Sequence, residues 1–206
     1  MPEATHVHVI DFDFRRRAQI SRDLLARALH PEIYEDVGEF LGGLPAEGPV
    51  LMMEIEDRDE LASLLEQART RGRYFPVALY SDEPRPERIV SALHAGAIDY
   101  LRWPFDIGLL DLSLQRLSEV GERRRAEEQQ KAAARALTRT LTARENEVLL
   151  ALVQGNSSKE IAANLGLSTR TVEIYRKRVV KKLAARSSTD AVRIAIQAGL
   201  LEARAA

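Results

Sequence analysis

Over its first 118 residues the chain alternates short apolar runs with amphipathic, helix-like stretches. Val7–Ile10, Val50–Ile55, Val77–Ser81 and Tyr100–Trp103 are apolar runs of strand length, as buried parallel strands require. Arg16–Leu29, Arg58–Arg71, Arg85–His94 and Ile107–Leu117 read as helices between and after them. A further strand is expected around Ile33–Glu35 and a short helix near Gly38–Leu41. In the last of these helices Leu109, Leu110, Leu114 and Leu117 form the expected buried stripe. Strands and helices in strict alternation predict a doubly wound α/β sheet, whose functional crevice lies at the C-terminal ends of the strands. Those ends carry Asp11, Glu54, Ser81 and Trp103.

The pattern then changes. After Gly121 comes ERRRAEEQQKAAARALTRT, rich in strong helix formers and free of proline and glycine. Its charges alternate in short blocks, as on a solvated helix with i, i+4 pairs. Apolar heptads fail between Val120 and Ala132, which argues against a sustained coiled coil. Residues 119–137 are therefore read as a helical linker, either a conduit of conformational change or a passive spacer.

Beyond it, Leu141–Leu183 reads as three short helices in a row. Thr142 with Glu145, and Ser157 with Glu160, each make a capping box, and Ser168 supplies a third N-cap. Gly155 sits where the first of the three must end. At about 100° per residue, Val172, Tyr175, Val179 and Leu183 share one face of the last helix. Arg170, Glu173, Ile174, Lys177, Arg178 and Lys181 share the other. An isoleucine amid charges suits a helix lying in the major groove, where it can pack on a thymine methyl; it would also be unremarked as a lone exposed apolar residue.

Charge supports that division of labour. Residues 138–206 hold 12 Lys and Arg against 6 Asp and Glu, whereas residues 1–118 hold 13 against 21. A basic C-terminal domain behind an acidic one fits a nucleic-acid binder with a separate regulatory module. The chain has no cysteine, so disulfides and thiolate metal sites are excluded. The opening MPEATHVHVIDF has no basic n-region or long apolar run, so neither a signal peptide nor a membrane contact is expected, and the cytoplasm is the expected location.

LTARENEVL, QGNSSKEIAANLGLSTRTVEIYRKRVVKKL and the closing helix from Ser187 to Gly199 closely resemble the DNA-binding domain of the LuxR/FixJ/NarL class of bacterial transcription regulators. The resemblance covers about a third of the chain, residues 138–206 being the domain it defines. It implies Glu173, Ile174, Lys177 and Arg178 as base-edge readers, with Lys159, Thr169, Arg170, Thr171 and Arg176 as phosphate contacts. It also implies a homodimer on double-stranded DNA, joined through the helix Thr189–Ala198 by an apolar face of Ala191, Val192, Ala195 and Ile196. Ser187 and Asp190 would cap that helix.

VIDFD, MMEI, PVALYS and HAGAIDYLRWPF resemble, over residues 5–118, the flavodoxin-like receiver domain of two-component response regulators. Receivers take a phosphoryl group on an aspartate, hold Mg²⁺ with an acidic pair and contact the phosphoryl group with a lysine before Pro-Phe. Here the pair becomes Asp11–Phe12 with Asp13 following, the acceptor position holds Glu54, and the lysine position holds Trp103 before Pro104–Phe105. Ser81 keeps the hydroxyl position and Tyr100 the switch aromatic, while EDRDE replaces the usual Pro-Gly turn. An indole carries no positive charge, and a phenyl ring offers no oxygen to a hard cation. Conventional aspartyl phosphorylation is therefore not expected. Glu54 as a mimic of the phosphorylated residue, control by a bound protein or small ligand, and a purely structural remnant all fit.

Other features carry less. His6, His8, His30 and His94 share no helix face or ligand spacing, so no metal site is expected. Arg15–Arg17 reads as the polar start of a helix. No cofactor loop or catalytic constellation is present, so the chain reads as a non-enzymatic, sequence-specific transcription regulator. The rivals are a protein-interaction adaptor with secondary DNA contact and an orthodox phosphorylated response regulator.

Overall fold

The computed structural model describes residues 5–55 and 59–200, which divide into two compact units, Met1–Arg124 and Arg125–Ala206. The division falls inside the stretch read as a linker. Residues 56–58, and with them the expected helix start at Arg58 and most of the EDRDE stretch, lie outside the described residues.

In the first unit β1 (His6–Ile10), β2 (His30–Tyr34), β3 (Val50–Met53), β4 (Val77–Ser81) and β5 (Asp99–Arg102) form one parallel sheet in the order β2-β1-β3-β4-β5. The helices between and after them are α1 (Phe14–Leu25), α2 (Val37–Gly43), α3 (Glu60–Thr70), α4 (Pro86–His94) and α5 (Ile107–Thr138). This is the doubly wound, flavodoxin-like architecture the pattern predicts. Successive strand residues point to opposite faces, so the central strands β1, β3 and β4 each feed two cores. Val7, Val9, Leu51, Ala78 and Tyr80 pack with Ile20 and Leu24 of α1 and Leu110, Leu114 and Leu117 of α5. Ile10, Val50, Met52, Val77 and Leu79 pack with Phe40 of α2, Leu61 and Leu64 of α3, and Ala92 of α4. Both faces of β3 and β4 are covered, which is why these two strands read as apolar runs, whereas the edge strand β2 does not.

One expected core residue is on the outside. Leu109 is 56% exposed, while the buried stripe of α5 runs through Leu110, Ser113, Leu114 and Leu117. Leu109 lies about 100° from Leu110 around the helix and misses the sheet.

The second unit is built from the end of α5 and from α6 (Ala143–Val153), α7 (Ser158–Leu165), α8 (Thr169–Lys182) and α9 (Ser188–Gln197). Both capping boxes are complete: Thr142 with Glu145 opens α6, and Ser157 with Glu160 opens α7. Gly155 and Gly166 take positive φ (83° and 65°) at the ends of α6 and α7. Ser187 accepts the Asp190 N–H, but the Asp190 carboxylate bonds to Arg186 N, one residue before the cap, so the expected reciprocal box is only half formed.

Buried Glu145 does more than cap. Its Oε2 accepts from Thr142 N at 2.8 Å and from Lys182 Nζ of α8 at 2.6 Å. The Lys182 ammonium, and after it the Thr142 N–H, hold the carboxyl below the ordinary glutamate value of 4.5. An acid depressed by folding adds stability above its unfolded value, and that stability disappears as pH falls through the folded value. Glu145→Gln is expected to destabilise this unit by about 1.5–3 kcal/mol at neutral pH. In acid below the usual glutamate range the difference should shrink, as urea unfolding at the two pH values would read out.

Candidate nucleic-acid interface and acidic pocket

The two faces of α8 separate as its sequence predicts. Val172 enters a cluster with Val148, Ile161 and Ala162, while Val179 and Leu183 enter a second cluster with Leu149, Ala191 and Ile194. Tyr175 is half-buried beside the first cluster. Outward lie Arg170, Glu173, Ile174, Lys177, Arg178 and Lys181, Ile174 being 45% exposed. Thr169 and Lys159 are also exposed and Thr171 is half-buried, its hydroxyl 2.7 Å from that of Ser168. Ser168 caps α8 by accepting the Thr171 N–H.

Arg176 is partly withdrawn from this surface. Its Nη1 donates to Ser158 Oγ of α7 at 2.6 Å and to Glu173 Oε1 at 3.0 Å, and its Nη2 to Ser188 Oγ of α9 at 3.2 Å. Ser158 donates in turn to Glu173 at 2.6 Å. The Ser158 hydroxyl, with the Arg176 charge behind it, holds the Glu173 carboxyl below the usual glutamate range. The Arg178 guanidinium lies 5.8 Å from the centre of the Tyr175 ring. Glu173, Arg176 and Arg178 are thus held by neighbours on α7, α8 and α9.

Only half of the apolar face expected on α9 lies at the surface. Ala191 and Ala195 are fully buried in the unit's own core, leaving half-buried Val192 and Ile196, 49% exposed, to face outward. Small side chains there let α9 approach α8 and α6 closely, and that close approach consumes them.

At the strand ends of the first unit, Asp11 is only 2% exposed. Asp13 turns its side chain to the N-terminus of α1, accepting from Arg15 N and Arg16 N, and those two N–H groups depress its carboxyl. The turn brings Arg16 back over Asp11. Arg16 Nε donates to Asp11 Oδ2 at 2.6 Å and Nη2 to Oδ1 at 3.0 Å. Tyr80 OH and Asp13 N complete the set at 2.7 and 2.8 Å. Arg17 donates to the Asp11 carbonyl. Arg16 also reaches Asp82 and stacks 5.3 Å from the Phe12 ring. Burial first, and then the neighbouring carboxylate, push the Tyr80 phenol well above its ordinary range. The Arg15–Arg17 run is therefore more than the polar start of a helix: it supplies the cation that neutralises Asp11.

Glu54 belongs to a second network. Its Oε2 accepts from Tyr100 OH at 2.5 Å, and its Oε1 from Arg88 Nε of α4 at 3.1 Å. Tyr100 OH is also 3.0 Å from Ser81 Oγ. Burial and the Glu54 bond raise the Tyr100 phenol to about 12. Trp103 takes no part; it packs on Phe105, with ring centres 4.9 Å apart, at the edge of the core around Tyr80. Glu54, Ser81 and Tyr100 thus come together as the sequence implies, whereas Asp11, Phe12 and Trp103 have other partners. Arg16, Tyr80 and Arg88 are the participants that sequence reasoning missed.

The register of β1 and β2 also gathers residues that the sequence scatters. His6 pairs with His30 and His8 with Glu32, and ligand atoms of His6, His30 and Glu32 lie within 4.8 Å of one another. His6, His30 and Glu32, which share no helix face and no spacing along the chain, meet through the pairing of two strands.

A parallel α/β unit with acidic strand ends, followed by a helix-turn-helix unit with a cationic helix, defines a DNA-binding response regulator. Residues 139–195 match the family described as bacterial regulatory proteins, luxR family. Over 209 aligned residues the chain is 32% identical to the transcriptional regulatory protein FixJ of Azorhizobium caulinodans, covering 98% of this chain and 97% of that protein. It is 30% identical to FixJ of Bradyrhizobium diazoefficiens over 95% of this chain and 97% of that one. Full-length FixJ from B. japonicum matches with a TM-score of 0.55 and 27% identity, over 95% of this chain and 98% of that one. The response regulator StyR shares the fold, with a TM-score of 0.72 at 24% identity over 95% and 100% of the two chains. The chain belongs to the FixJ-type, LuxR-family response regulators, DNA-binding transcription regulators of two-component systems. No helix among the described residues is long and apolar enough to cross a membrane.

Proposed function

We propose that this regulator has an atypical receiver and binds DNA as a homodimer in the cytoplasm without aspartyl phosphorylation. The observation that carries the reading is the Asp11 carboxylate, buried and already saturated by Arg16, Tyr80 OH and Asp13 N. Phosphoryl transfer needs a metal and a cation gathered around the moving group. Here the chain's own guanidinium neutralises the acidic position, an indole stands where the lysine would, and no aspartate stands at the acceptor position. Glu54 instead holds Tyr100 inward by a direct hydrogen bond, in the manner expected of a permanent anion at that site.

In the DNA-binding unit, residues 138–206 by sequence, Glu173, Ile174, Lys177 and Arg178 read base edges, and Lys159, Thr169, Arg170, Thr171 and Arg176 contact phosphates. Val192 and Ile196 are what α9 offers to a second copy. Dimeric helix-turn-helix proteins read two half-sites, so selection from randomised duplexes with unmodified protein should return a two-fold symmetric sequence. Treatment with acetyl phosphate and Mg²⁺ should leave both the intact mass and the affinity for that sequence unchanged. A stoichiometric phosphoryl adduct accompanied by tighter binding would reject the reading.

A further inference from the structure

We infer that His6, His30 and Glu32 form an open, three-ligand site for a divalent transition cation of the zinc type, at the β1–β2 edge of the sheet. The placement follows from the register. His6 and His30 are paired across neighbouring parallel strands, and Glu32 lies two residues beyond His30, on the same face of β2. The His6 and His30 rings stand edge to face with centres 4.7 Å apart, and His6 Nδ1 is 2.7 Å from Glu32 Oε1. Tetrahedral zinc at about 2.0–2.2 Å from each donor sets neighbouring donors roughly 3.4 Å apart. The ligand atoms, all within 4.8 Å of one another, need only small side-chain rotations to reach that spacing.

The surroundings are those of a built site. Tyr34 OH donates to Glu32 Oε2 at 2.9 Å, fixing the far oxygen of the carboxylate and leaving Oε1 turned to the histidines. Behind it His8 is fully buried, with Nε2 2.8 Å from the Glu47 carbonyl and Nδ1 3.3 Å from Glu32 Oε2. Partners that orient a ligating carboxylate in this way tune the affinity of metal sites. Two imidazoles and one carboxylate select zinc, or a neighbouring transition ion, over the all-oxygen shell that Mg²⁺ or Ca²⁺ requires.

Access is open as well. β2 is the edge strand, His30 is exposed, and His6 and Glu32 are half-buried, so a fourth position faces solvent. The cluster lies at the starts of β1 and β2, whereas Asp11 and Glu54 follow the ends of β1 and β3. A cation here would tie the edge strand to its neighbour, and its binding is independent of the reading of the acidic pocket given above.

The test is calorimetric titration of zinc chloride into full-length, untagged, chelator-stripped protein. One equivalent should bind. His30→Gln and Glu32→Gln, which remove first-sphere ligands at exposed or half-buried positions, should each weaken binding at least about 100-fold, and Tyr34→Phe about 10-fold. His94→Ala, on α4, should bind zinc as the parent does. Cobalt(II) in the same site should give the visible spectrum of a four-coordinate ion, lost in His30→Gln. Circular dichroism would verify that the variants remain folded. Absence of binding at millimolar zinc, or an affinity untouched by His30→Gln and Glu32→Gln, would overturn the site.

Discussion

Exchanging Arg16 for alanine is expected to destabilise the N-terminal unit by about 3–5 kcal/mol, the usual loss when one partner of a buried ion pair is removed. Asp11 is 2% exposed and takes two of its hydrogen bonds from that one guanidinium. Without it the carboxylate keeps Tyr80 OH and Asp13 N but no charged hydrogen-bond partner, Arg17 reaching only the Asp11 carbonyl. Replacing both residues, Asp11→Asn with Arg16→Ala, should recover much of the loss, because the penalty lies in the stranded charge and not in the missing pair. Urea unfolding of the two single variants and the double variant measures the coupling. A loss below about 1 kcal/mol for Arg16→Ala, the range of exposed pairs, would mean that water screens Asp11 after all.

The second large effect concerns DNA. Lys177→Ala and Arg178→Ala should each weaken binding to the selected sequence by about 1–3 kcal/mol, while flattening the preference at one base pair. Neither side chain contributes to the clusters beneath α8, so both variants should fold, Arg178→Ala losing only its contact with Tyr175, and most of the loss should appear in binding. Lys159→Ala should behave differently. A phosphate contact carries no sequence information, so affinity should fall for all duplexes alike and the salt dependence should flatten by about one counterion. Lys177→Ala binding its best site as the parent does would remove that residue from the base-reading set.

What was legible in the sequence was whatever depends on local periodicity. The faces of α8 could be assigned because Val172, Val179 and Leu183 recur at helical spacing against a run of charges, and the strand ends because each apolar run stops at a polar or aromatic residue. Caps were legible for the same reason: the partners lie three residues apart. Legibility ended where a neighbour is distant in sequence or one pattern serves two purposes. Ala191 and Ala195 have the spacing of a seam between two copies, yet the same small residues suit close packing within one. Leu109 sits beside Leu110 and is equally apolar, but Ser113 is the residue turned inward. Nothing in a run of three arginines says that the middle one folds back on Asp11; that depends on Asp13 capping α1. The His6–His30 pairing requires the strand order and register, which no single segment encodes.

The contacts among Ser158, Glu173, Arg176 and Ser188 bear on the entropy of association. Holding a long, rotamer-rich side chain at an interface commonly costs about 0.5–1.5 kcal/mol. In this protein Glu173 and Arg176 are fixed by hydrogen bonds and Arg178 rests against Tyr175 before any duplex arrives. Much of the ordering is completed when the domain folds. On the proposed reading of Glu173 and Arg178 as base contacts, a wrong base pair would meet two side chains with little freedom to adapt, and discrimination between sites would sharpen at those two positions.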